Sequence, residues 1–173
     1  MGKQVKMRKG FTLIELLLSI AILGILVVTA AFLIKPGQTM AKKRDAQRIS
    51  DLSRLQIAIE SFALDHKATP GDMDTYHSDN GTDAADGTGW IHGSNMSDMP
   101  KYIGSLPMDP INQGEFVYRY QRDPGCWACG YEIDAKLETD TQKMANDGGD
   151  DSNRYEVGSE LNLLPAPTLS PSP

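Results

Sequence analysis

Apolar residues fill positions 11–34 almost without interruption, a run of 24 that holds a single charge, Glu15. About 20 apolar residues cross a bilayer core as a helix, so this run is long enough to span one. Lys35-Pro36-Gly37 follows. Proline there lacks a backbone donor and glycine relaxes the helix, which predicts a kink or a melted turn. Helical spacing then resumes: Ile49, Leu52, Leu55, Ile59 and Phe62 recur every three or four residues, with Asp45, Arg48, Asp51, Arg54 and Glu60 mostly elsewhere around the helix. This predicts an amphipathic half over residues 35–67 whose apolar face meets a sheet. Ala68-Thr69-Pro70-Gly71 is a stop signal.

The pattern changes over residues 68–164, the expected globular head. Residues 71–100 are rich in Asp, Gly, Ser, Asn and Thr, with Tyr76 and Trp90 as bulky anchors, and read as a long surface loop that carries contacts. A period of two then appears. Phe116, Tyr118 and Tyr120 alternate with polar neighbours, as do Tyr131, Ile133, Ala135 and Leu137, which predicts an antiparallel hairpin over 115–138. A third strand is expected over 154–159, with Tyr155 and Val157 on one face. Residues 165–173 contain four prolines and are expected to be a disordered tail. The fold class predicted is α+β, a long N-terminal helix packed on a small antiparallel sheet.

The junction Lys9-Gly10-Phe11-Thr12-Leu13-Ile14-Glu15, preceded by Lys3, Lys6 and Arg8, resembles the start of the type IV filament proteins, the type IV pilins and type II secretion pseudopilins. The resemblance is strong over residues 9–34 and patchy beyond. It implies a pilin-like fold. It also implies a leader, residues 1–10, that a prepilin peptidase removes between Gly10 and Phe11, with N-methylation of the new Phe11 terminus. The chemistry agrees, because glycine offers a protease close backbone approach and basic residues hold a leader in the cytoplasm. By the same resemblance the helix of one subunit packs with identical subunits in a filament core. Glu15 would pair with the freed Phe11 amine of a neighbour, and Thr12 would add a polar contact. The implied partners are the peptidase, the membrane and an inner-membrane assembly platform. The implied location is the bacterial inner membrane, single-pass with the N-terminus cytoplasmic, and then an extracytoplasmic or cell-surface filament. The segment Tyr102 to Pro110, with Leu106-Pro107-Met108-Asp109-Pro110, resembles one common in major pseudopilins.

Other readings of the N-terminus stay open. Val28-Thr29-Ala30 fits the cleavage site of an ordinary secretory signal, although such cores usually hold only about 7–15 apolar residues and Glu15 would lie inside this one. The helix could instead be a plain tether for an extracytoplasmic binding domain. That reading leaves Glu15 and the Lys9-Gly10 junction without a purpose.

Charge narrows the partners. Loss of the leader's four basic residues leaves 13 Lys and Arg against 23 Asp and Glu, a net charge of −10. An acidic surface repels phosphate, and no basic stripe with interleaved aromatics is present, so nucleic acid is not expected. The chain lacks a phosphate-binding loop, a nucleophile elbow, a His-Glu-x-x-His pair and a dinucleotide fingerprint, and no enzyme is expected. Cys126-Trp127-Ala128-Cys129 lies in the hairpin turn and, outside the cytoplasm, predicts a local disulfide. A redox motif would normally open a helix beside a βαβ unit. Zinc would need further ligands, and His66, His77 and His92 lack paired spacing. The run 146–153 gathers hard oxygen donors, Asp147, Asp150, Asp151 and Asn153, of the kind calcium takes. A solvated Asp-Gly turn explains that run equally well. Asp79, Asp83 and Asp86 share composition only, and Asn80-Gly81-Thr82 and Asn95-Met96-Ser97 match glycosylation acceptors without further support.

Overall fold

The computed structural model describes residues 10–34, 36–125 and 130–164. The chain divides into two compact units, Met1–Thr39 and Met40–Pro173. Helix α1, Leu13–Ile34, occupies the first. Helix α2, Pro36–His66, starts on the proline. Proline is favoured at a first helical position, where its missing N–H would have no partner within the helix. Lys35, at the centre of the expected break, lies outside the described residues, as do the leader positions 1–9, the cysteine turn and the tail.

In the second unit α2 packs on a four-stranded antiparallel sheet with strand order β1-β2-β3-β4. The strands are β1, Thr75–His77, β2, Tyr118–Arg122, β3, Tyr131–Ala135, and β4, Tyr155–Gly158. The fold is the α+β pilin-like arrangement that the apolar pattern predicts. Helix α2 ends where Lys67 adopts a left-handed conformation, φ 55°, and its N–H bonds the Ala63 carbonyl at 2.9 Å. That is a left-handed helix cap, usually given to glycine.

Leu52, Leu55, Ala58, Ile59 and Phe62 of α2 meet Tyr118, Tyr120, Tyr131 and Ile133 of the sheet in the core. The buried stripe continues toward the helix start through Arg48 and Asp45, while Ile49 is only half-buried. Hydrophobic spacing assigned Ile49 to the buried face and Arg48 to the outside, and the structure reverses the two. Arg48 is buried because carboxylates from distant segments surround it.

The 71–100 segment also differs from expectation. It contains β1, which pairs Tyr76 with Tyr120, and it sends Tyr76, Ala85, Trp90, Ile91, Met96 and Met99 into the core. Its buried polar groups are satisfied locally: the Trp90 N–H donates to Thr82 O at 2.8 Å, the indole to Pro107 O at 3.0 Å, and the Tyr76 hydroxyl to His92 O at 2.8 Å. A Cβ on Gly89 would lie 2.0 Å from the Ala84 carbonyl, so this tight winding requires glycine there. A short 3₁₀ turn, Met99–Lys101, closes the segment. Helix α3, Thr141–Ala145, which the pattern did not predict, is capped by Asp140 accepting from the Lys143 N–H.

Candidate functional site

The N-terminal segment owes its local geometry to Thr12. The Glu15 N–H donates to Thr12 Oγ1 at 3.4 Å and the Leu16 N–H to the Thr12 carbonyl at 3.2 Å, which makes Thr12 the N-cap of α1. Thr12-Leu13-Ile14-Glu15 is thus a capping-box string, and it puts a carboxylate in the first turn, where the helix dipole favours negative charge. Gly10 and Phe11 precede the helix, both exposed, and a Cβ on Gly10 would meet nothing within 4 Å. Side chains over residues 11–30 are exposed throughout, and Leu13–Ala30 is long and apolar enough to cross a membrane. So large an apolar surface on a single helix requires lipid or other helices around it.

In the head, one cluster ties α2 to two later segments. Arg48, fully buried, donates through Nε and Nη2 to both oxygens of Asp109, at 2.6 and 3.1 Å, and through Nη1 to Asp45 at 3.0 Å and Glu138 at 2.7 Å. Its guanidinium also lies 5.0 Å from the centre of the Phe116 ring. Asp45 accepts from the Glu138 and Thr139 N–H groups, both at 2.8 Å, and Asp109 from Ile111 N at 2.8 Å. The hydrogen bond from Arg44, with help from Arg48, holds the Glu138 carboxyl down at about 2. A carboxyl depressed in the folded state stabilises fully above its ordinary value of 4.5 and loses that contribution as pH falls toward 2. Thermal melts should therefore show a drop in stability across that interval worth roughly 1–3 kcal/mol. The drop should be visibly shallower in Glu138→Gln; equal slopes in the two proteins would exclude Glu138 as the source.

The second cluster covers the sheet face opposite α2. Strand register sets Arg119 beside Asp134 and Asp134 beside Glu156, so a base and two acids form one cross-strand row. Arg119 and Arg154 both pair with Asp134, and Arg154 also donates to the Glu115 and Val117 carbonyls. Next to this row Glu132 Oε2 accepts from Leu163 N at 2.7 Å and Leu164 N at 2.9 Å, and Glu156 Oε2 accepts from Asp151 N at 3.1 Å. The other oxygens, Glu132 Oε1 and Glu156 Oε1, are buried without a hydrogen-bond donor. A buried polar atom left so costs about 1–3 kcal/mol, and more when charged. Burial pushes both carboxyls above the ordinary range, with each acting on the other.

The expected calcium donors are dispersed around this cluster. Asp147 accepts from Gly149 N and Glu156 N, and Asp151 accepts from Asn153 N with its other oxygen 3.8 Å from Arg119. Among the described residues, Asp150 instead converges with Glu132 and Glu156, their ligand atoms all within 4.8 Å of one another. Neither glutamate stood out in the sequence, because alternation placed both on the outer side of their strands. The histidines stand apart. His66 stacks on Phe62 at 4.1 Å, His92 lies edge-on to Tyr76 at 4.6 Å, and His77 pairs in register with Arg119. Asp86 accepts from the Thr88 N–H and hydroxyl, an ordinary turn contact. The disulfide expected between Cys126 and Cys129 falls outside the described residues.

A single apolar helix capped by Thr12, in a chain whose head is a helix laid on a four-stranded antiparallel sheet, defines the pilin-like architectural class. Residues 5–31 match the family model of the prokaryotic N-terminal methylation motif, and the chain carries the prepilin-type cleavage and methylation motif of type IV pilin-like proteins. Searches of curated proteins and of solved structures each returned no match.

Proposed function

We propose that the chain is a structural subunit of a type IV pilus-like or type II secretion pseudopilus filament. Prepilin peptidase cuts between Gly10 and Phe11 and methylates Phe11, and an inner-membrane platform adds the subunit to identical copies. The observation that carries this reading is the methylation motif set directly before a capped, wholly exposed apolar helix. In this reading the N-terminus starts in the cytoplasm and the head lies outside the inner membrane. The leader's basic residues support that orientation. The head serves as wall rather than as catalyst, and its acidic surface does not attract nucleic acid. Cys126 and Cys129 form a short-loop disulfide in that oxidising space, and the acidic end of the sheet takes calcium there.

Mass spectrometry of the protein from native membranes and from sheared filaments, with and without reduction, tests the processing steps. A chain beginning at N-methylated Phe11 is expected, two protons lighter at the cysteine pair before reduction. Gly10→Val should abolish the cut, because a branched side chain fills the space the peptidase needs at the junction. A chain that starts at Met1 would instead mark a tethered domain, and one that starts at Ala31 a secreted domain.

A further inference from the structure

We propose that Glu132, Asp150 and Glu156 form a binding site for one hard divalent cation of the calcium class, clamping β3, β4, the acidic loop and residues 160–164 to one another. The site is carried by its orientation rather than by its composition. Each glutamate has one oxygen fixed by backbone N–H groups, Glu132 by Leu163 and Leu164, Glu156 by Asp151. Each presents its second oxygen, buried and without a donor, to the same place. A carboxylate pinned by one oxygen loses little freedom on binding through the other, so the pair is preorganised.

Nearby cations do not fill this role. Arg154 is engaged by Asp134 and two backbone carbonyls, and Arg119 by Asp134 and Asp151. Asp150 is exposed and belongs to a loop with Gly148 at φ 99°, so it supplies a third negative ligand and a way in from solvent. A Cβ on Gly149 would sit 1.9 Å from Glu156 Oε2, and only glycine lets the loop come this close to the carboxylate. Calcium binds oxygens at about 2.3–2.6 Å, so oxygens on opposite sides of one ion stand about 5 Å apart, and a set within 4.8 Å fits one coordination sphere. Loop carbonyls and water are suited to complete a shell of about 6–8 ligands, and such a mixed, irregular shell suits calcium better than octahedral magnesium.

The test uses the full chain in detergent, freed of metal with EDTA, and needs no filament, so it stands apart from the proposed function. Calcium chloride is titrated calorimetrically, and thermal melts are compared in excess calcium and in EDTA. One-site binding is expected, with a rise in melting temperature of roughly 5–10 °C at about 100-fold excess over Kd. Glu156→Gln keeps the shape and removes one of two facing charges. In EDTA it should melt no lower than the parent, and it should lose the calcium shift. Asp150→Asn, at an exposed position, should keep the fold and weaken calcium at least about tenfold, and it carries the test if the buried variant does not fold. No heat and no melting shift with the parent protein would overturn the site. So would a shift of full size in both variants, which would put the ion elsewhere.

Discussion

Replacing Arg48 with alanine is expected to destabilise the head by about 3–5 kcal/mol, the cost of removing one partner from a buried ion cluster. The side chain is wholly buried and serves three carboxylates, two of them, Asp45 and Asp109, also buried. Without it, Asp109 keeps only its turn contacts, to Ile111 and Asn112, and the negative charges of α2, the 109 turn and the 138 turn face one another unscreened. At about 2–4 °C per kcal/mol for a chain of this size, the melting temperature should fall by roughly 10 °C or more. Arg48→Lys should fall between the two, since an ammonium restores the charge without the forked contact to Asp109. Arg54→Ala supplies the contrast. Its pairing with Asp51 is 3.7 Å long and its side chain is 66% exposed, so a change within about 0.5 kcal/mol is expected. Equal losses from Arg48→Ala and Arg54→Ala would refute a load carried by the buried cluster.

What could be read in advance follows from how local each signal is. The apolar run, the Lys9 to Glu15 string and the alternation in β2 and β3 are contiguous patterns, and each led directly to an element or a motif. Strand β1 has three residues, and α3 has five, too few for any period to register. Trp90 and Met96 lie in a stretch whose Asp and Gly content pointed to solvent, yet they fill the core, because the neighbouring glycines permit turns tight enough to bury them. Arg48 looked like an ordinary helix-surface residue. Its partners Asp109 and Glu138 are 61 and 90 positions away, and spacing along one helix says nothing about what the fold brings opposite it. Glu132 and Glu156 were hidden for a related reason. Alternation correctly puts them on the face away from α2, but that face is covered by Leu163, Leu164 and the acidic loop rather than by water.

Glu15→Gln is expected to leave α1 and its cleavage intact while lowering the yield of sheared filaments at least about tenfold. The structure gives Glu15 one local role, the first turn of a helix capped by Thr12, where a negative charge contributes about 0.3–1 kcal/mol. A comparable charge at the centre of an inserting helix costs roughly 2.5–3.5 kcal/mol, so the cap alone does not offset placing Glu15 in the membrane. In the filament reading the balance is met by the positive terminus of Phe11 on a neighbouring subunit, and such a pair is strongly penalised when one partner is removed. Glutamine separates the two roles, since it retains the shape and hydrogen-bonding capacity of the side chain and loses only the charge. Thr12→Val supplies the converse, removing the cap at about 0.5–2 kcal/mol while leaving the carboxylate, and should fray the first turn with a smaller loss of filaments. Filament yield equal to the parent's from Glu15→Gln would mean that the carboxylate acts only as a helix cap, and that charge pairing does not set the register between subunits.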